Sequence, residues 1–215
     1  TGIYINITHL FNFLFWLFCH LLTRVLFRIE IEDQRKVIPP KTIYIANHVT
    51  TLDWLIIKSA LTEEVLFVSH KSFVDHPCLG KLLQLVNCIP IAGDLPSIRR
   101  AFRQINGTLK AGKSICIFPE GQLTTNGQIA EFRPGILKIH ALNEKTAITP
   151  LTLSGFWDTF WSKKNGWFYN RLTSFRFHRP VVKLTIHEQI RTSVFAPYPH
   201  KLQYLRALVK MSHHP

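Results

Sequence analysis

The sequence predicts an α/β domain, a mixed and largely buried β-sheet flanked by helices, led by an N-terminal membrane-associated helix. Three observations predict it. From Ile31 onward, short β-rich runs alternate with amphipathic stretches, the pattern of a sheet covered on both faces. Each run is apolar at successive positions, as strands buried on both sides are. Residues 10–27 read LFNFLFWLFCHLLTRVLF, broken only by Asn12, His20, Thr23 and Arg24.

Length and composition frame that architecture. The chain has 215 residues, and a domain of roughly 200 residues buries about 70% of its unfolded surface, enough for a core without disulfides. Charged residues make up 18% and aromatics 12%, against about 25% charged in ordinary soluble domains, which excludes a disordered chain. Lys and Arg number 26 against 13 Asp and Glu, a formal charge of +13. Such a field draws polyanions: nucleic acid, anionic headgroups or an acidic carrier protein. The charge is spread and no nucleic-acid-binding motif is present, which disfavours the first. Cys19, Cys78, Cys88 and Cys116 form no C-x-x-C pair, so neither a metal site nor a disulfide framework is indicated, and buried thiols in a reducing compartment are expected.

The elements follow in order. As a helix, residues 10–27 would be about 27 Å long, barely a membrane span. Arg24 and Arg28 come late in the run and after it, and no A-x-A-like site follows, so a cleaved signal peptide is not expected. The polar interruptions favour a helix lying in one leaflet, its arginines toward anionic headgroups, over a crossing or a core helix. Residues 1–30 are thus expected as a membrane-interacting helix and 31–215 as the folded domain. Strands are expected at TIYIA (42–46), VLFVS (65–69), CIPI (88–91), SICIF (114–118), ITPLTL (148–153) and VVKLTI (181–186).

Helices fit between them. WLIIKSAL follows Asp53; Ile98, Phe102, Ile105 and Leu109 recur at helical spacing after Pro96, with Arg99, Arg100 and Arg103 off the stripe and Gly112 near the stop. Residues 134–142 and 201–210 read as two more. Residues 155–177, GFWDTFWSKKNGWFYNRLTSFRF, are too aromatic for a solvent loop and too polar for a strand. They suit a membrane interface, with Lys163 and Lys164 toward phosphates, or simple packing, since Phe156 and Phe160 are a helical turn apart.

Two corners carry chemistry. TIYIA runs directly into Asn47-His48-Val49-Thr50-Thr51-Leu52-Asp53, which puts His48 at the carboxyl end of a strand, where open α/β sheets present functional groups. Asp53 falls in the first turn of the next helix and can aim back at the imidazole. With one ring nitrogen held by a carboxylate, the other is a free base. Thr50-x-x-Asp53 also reads as a capping box, with Asp53 merely closing the helix. SICIF leads into Pro119-Glu120-Gly121-Gln122-Leu123-Thr124-Thr125, a second strand end with a carboxylate and a permissive glycine.

Asn47-His48 with Asp53 resembles the NHx4D motif of the glycerolipid acyltransferases, and Phe118-Pro119-Glu120-Gly121 resembles their FPEG motif, about 70 residues downstream. Lys71 with Pro77 and Gly80 is similar to the family's intervening lysine-to-proline stretch, and Ile148-Thr149-Pro150-Leu151 to its later V-P-V strand. The resemblance departs at Leu123, where lysophosphatidate acyltransferases usually carry arginine, and at Ala92-Gly93-Asp94, where another arginine is usual. Arg99, Arg100 or Arg133 would have to substitute as phosphate cations. Residues 120–127 also look like the acyltransferase domain of the bifunctional 2-acylglycerophosphoethanolamine acyltransferase / acyl carrier protein synthetase, whose adenylate-forming domain would lie outside this chain.

The resemblance implies a lysophospholipid O-acyltransferase acting on lysophosphatidylethanolamine, or alternatively on lysophosphatidate, with acyl carrier protein or coenzyme A as thioester donor. His48 would be the general base and Asp53 its orienting partner. Glu120, Gly121, Thr124, Lys71 and Arg133 would shape the acceptor site, and backbone N–H groups at Gly121 or Thr51 would meet the oxyanion. No cofactor or metal is expected, because the thioester is already activated. The implied location is the cytoplasmic face of a bacterial inner membrane, at an anionic surface. A non-catalytic lipid-binding module would share the apolar N-terminus but gives no reason for a His-Asp pair.

Overall fold

Side chains alternate between the two faces of a sheet, and in the central strands both faces are apolar. In β2 (Ile43–Ala46), Ile43 and Ile45 enter one hydrophobic cluster while Tyr44 and Ala46 enter another on the opposite side, all four fully buried. The computed structural model describes residues 7–75, 88–157, 159, 179–191 and 200–211. Pro77, Cys78, Gly80, Lys163, Lys164 and most of the aromatic segment 155–177 lie outside the described residues.

The sheet has seven strands. β1 (Arg28–Asp33), β2, β3 (Val65–His70), β4 (Ile89–Ile91), β5 (Ser114–Ile117), β6 (Ile148–Ser154) and β7 (Val181–Ile186) take the order β1-β7-β6-β2-β5-β3-β4. β2 to β6 are parallel, β7 runs antiparallel to β6, and β1 is parallel to β7. This is the mixed, largely buried sheet the sequence leads one to expect, and each expected strand lies within a residue or so of its place. The carboxyl ends of β2, β3, β4, β5 and β6 therefore share one edge.

β1 is an addition to the expected strands, and it straddles the division at residue 30. RIEIED has two isoleucines alternating with charges and is mostly exposed, as a sheet-edge strand protected from further pairing by charge is. Local hydrophobicity therefore understates it.

Helices α1 (Ile7–Leu26) and α2 (Asp53–Ala60) cover the Tyr44 side; α4 (Leu95–Lys110), α5 (Gly135–Ala141) and α6 (Lys201–Lys210) cover the Ile43 side, and a single turn, α3 (Lys71–Val74), follows β3. α4 starts because Asp94 accepts the Ser97 N–H at 2.8 Å with Pro96 in the first turn, and it stops before Gly112 at φ 80°. α1 has two apolar faces. Phe15, Cys19 and Thr23 face the core, as does Phe27 just past the helix, and His20 Nδ1 donates to the Ser59 carbonyl on α2 at 3.3 Å. The other face turns outward. No described helix is long and apolar enough to cross a membrane.

Candidate active site

The first corner is organised around one carboxylate. Asp53 is fully buried, and a buried carboxylate without a neighbouring cation needs several donors. It has four: the His48 ring at 2.8 Å from Nδ1, the Val49 N–H at 2.7 Å, the Thr50 N–H at 3.1 Å and the Thr50 hydroxyl at 2.9 Å. Thr50 Oγ1 in turn accepts from Leu52 N–H at 3.0 Å. α2 opens at Leu52 without a side-chain cap, and the Asp53 carboxylate instead fastens the preceding turn through Thr50 while still reaching the imidazole. Because an ionised Asp53 can only accept, Nδ1 donates this bond, and in the neutral ring that tautomer leaves the Nε2 lone pair free. The His48 side chain is 21% exposed against 0% for Asp53, so the basic nitrogen belongs to a ring that solvent or substrate can reach.

Asn47 explains why the chain turns where it does. Its side chain donates to the Leu153 carbonyl at 2.8 Å and accepts the Leu153 N–H at 2.7 Å, continuing the ladder to β6 with an amide while the backbone departs.

The second corner sits on the adjacent strand. β5 pairs directly with β2, so residues 118–124 emerge beside His48. Phe118 stacks on the His48 ring with centroids 4.1 Å apart at 19°. Glu120 is 2% exposed, and its two oxygens accept the His48 N–H at 2.8 Å and the Ala130 N–H at 2.7 Å. Thr124 N–H donates to the His48 carbonyl at 2.8 Å, and its hydroxyl donates to the Gln128 carbonyl at 2.8 Å. The peptide of His48 is held on both sides by the β5 loop. Burial raises the Glu120 carboxyl above the usual glutamate range, against the two N–H bonds that lower it.

The remaining expected residues divide. Arg133 Nε donates to the Glu120 carbonyl at 3.2 Å, and its exposed guanidinium covers Gly121, where an added Cβ would lie 2.7 Å from that nitrogen. Gly121 has φ 65° and its N–H is committed to the Phe118 carbonyl at 3.0 Å. Thr51 N–H, at the entrance to α2, makes no hydrogen bond among the described residues. Lys71 lies on the same edge at the end of β3, separated from β2 by β5, with its ammonium 60% exposed. The stacking of Phe118 and the bond from Ala130 were not expected from sequence; an aromatic at the last strand position was the only signal for the former. Cys19, Cys88 and Cys116 are free; burial pushes the first two thiols up to about 11 and raises the third, the behaviour of packing thiols.

Comparison with known proteins gives the family and the fold. A family model described as Acyltransferase matches residues 28–154. A probable 1-acyl-sn-glycerol-3-phosphate acyltransferase of Mycoplasma pneumoniae is 34% identical over 133 residues, 59% of this chain and 50% of that protein. A 1-acyl-sn-glycerol-3-phosphate acyltransferase of Cocos nucifera is 29% identical over 117 residues, 54% of this chain and 38% of the relative. The chain spans about half or less of the length of these relatives. The crystal structure of the 1-acyl-sn-glycerophosphate acyltransferase PlsC from Thermotoga maritima shares the fold, with a TM-score of 0.70 over 93% of this chain and 76% of that one at 19% identity.

Proposed function

This chain belongs to the acyltransferase family, and from that premise we propose that it transfers an acyl group from a thioester to the free glycerol hydroxyl of a lysophospholipid. The observation that carries the reading is the 2.8 Å contact between His48 Nδ1 and the buried Asp53. His48 Nε2 takes the proton of the acceptor hydroxyl as the oxygen attacks the thioester carbonyl. The imidazolium is held by Asp53, which stabilises the charge without moving it. Thr51 N–H is the candidate donor to the oxyanion. As the tetrahedral intermediate collapses, the C–S bond breaks and the imidazolium returns its proton to the departing thiolate.

For the acceptor, lysophosphatidate is the better reading, ahead of lysophosphatidylethanolamine. The curated relatives carry the name of that activity. Leu123 leaves the β5 loop without its usual arginine, but Arg133 lies over Gly121 in the same loop and supplies an exposed fork suited to a phosphate. One thioester donor assayed against a panel of lysophospholipids tests this. Lysophosphatidate should be preferred, and Arg133→Gln should raise its KM about ten-fold; preference for lysophosphatidylethanolamine, unaffected by Arg133→Gln, would restore the other acceptor.

The outward face of α1 supports attachment to a membrane surface. Leu10, Phe13, Leu14, Phe18, Leu21 and Val25 are 46–62% exposed and recur at the spacing of one helical stripe, with Arg24 at its end for anionic headgroups. Serine at Phe13, Phe18 and Leu21 should lower co-sedimentation with phosphatidylglycerol vesicles; unchanged partition would leave α1 a purely structural helix.

A further inference from the structure

On the face of the sheet opposite α1, an open groove of about 350 Å³ runs between α4 and α5 and is lined by Ile98, Arg99, Phe102, Arg103 and Lys138. Its floor is apolar, with Ile98 and Phe102 half-buried, and its rim is cationic, with the other three side chains exposed. α4 contains Arg99, Arg100, Arg103 and Lys110 and no acidic residue. None of the three rim cations makes an ion pair among the described residues. α4 begins where β4 reaches the edge that carries His48, and α5 begins just after Arg133, whose N–H is bonded to the Pro119 carbonyl at 2.9 Å. Both helices that line the groove thus start from the sheet edge that carries His48.

We propose that this groove docks an acidic amphipathic helix of a protein that carries the acyl thioester, a partner whose existence rests on the acyl-transfer reading above. The helix would lay apolar side chains on Ile98 and Phe102 and set carboxylates against Arg99, Arg103 and Lys138. Two features favour a protein over a lipid surface. A bilayer met by the outward stripe of α1 lies on the other side of the sheet. Membrane-binding faces also project their apolar side chains, whereas Ile98 and Phe102 are half-buried among exposed cations, as at a protein interface with a small apolar centre and a polar rim.

The experiment compares one acyl chain presented as its acyl carrier protein thioester and as its coenzyme A thioester, using the full chain and its Arg99→Glu/Arg103→Glu/Lys138→Glu variant. Reversing three rim charges should raise KM for the carrier thioester about ten- to a hundred-fold, with kcat and use of the coenzyme A thioester held within about two-fold. The milder Arg99→Gln/Arg103→Gln variant should show a smaller shift in the same direction. Equal loss on both donors, no loss on the carrier, or reduced vesicle binding instead would each overturn the docking site. Fluorescence anisotropy of a labelled carrier protein reads binding apart from turnover. Should the wild type transfer no acyl group from either thioester, the catalytic reading fails, while carrier binding that is weakened by the charge reversals still upholds the groove and binding that ignores them removes it.

Discussion

Two neighbouring strands end in corners that each bury a carboxylate, and the two carboxylates are differently engaged. At the end of β2, Asp53 takes one ring N–H, one hydroxyl and two backbone N–H groups. At the end of β5, Glu120 takes only backbone N–H groups, one of them from His48 itself. The first carboxylate orients the imidazole, and the second fixes the peptide that bears it. An acid beside a base in a site is thus not by that fact a reacting group; the donors it receives tell its work.

The comparison breaks most plainly at the β2 corner. His48→Ala and Asp53→Asn should each lower kcat by about 10²- to 10⁴-fold, with circular dichroism and a thermal melt to show that the fold survives. Full turnover by both folded variants would remove the catalytic assignment. At the β5 corner the expected effect is smaller. Glu120→Gln keeps one carbonyl acceptor and turns an NH₂ group toward a backbone N–H, a mismatch costing about 1–3 kcal/mol of stability, and kcat should fall about ten-fold through misplacement of His48. A rise in acceptor KM at unchanged kcat would instead make Glu120 a binding group.

Titration sharpens the same contrast. The folded-state pKa of Glu120 is raised by burial, so between the ordinary glutamate range and that raised value the native protein holds a proton the unfolded chain has released. The stability this group adds is full below the ordinary range and is lost as pH rises through the folded value. The Tm of the wild type relative to Glu120→Gln should therefore decline with rising pH across that window; a difference that does not vary with pH would contradict it. The smallest effect is expected from Phe118→Leu, which removes the stacked ring but keeps apolar bulk, lowering kcat about three-fold.

Much of this was legible in the residues. Ile43, Ile45 and Ile115 mark strands because they stand in short runs apolar at successive positions, which a sheet covered on both faces buries, and Pro96 ahead of Ile98, Phe102, Ile105 and Leu109 marks α4 by its first turn and its stripe. The His48-to-Asp53 spacing was legible for the same reason, since a strand, a tight turn and a helix start are all local. β1 was hidden by its charges, and the donors that Glu120 receives, the His48 and Ala130 N–H groups, lie too far along the chain for any local pattern to name them.

The sequence by itself determined the alternation of strand and helix, the two polar corners and the doubly apolar α1, each of which is written within a span of a few residues. Only the tertiary structure decided that β5 lies against β2, that Glu120 and Thr124 close on the His48 peptide from 72 and 76 positions away, and that Arg133 returns to the loop Leu123 left uncharged. Strand order is a choice made by the whole core, through which buried faces can be covered at once, and no local pattern of residues encodes it.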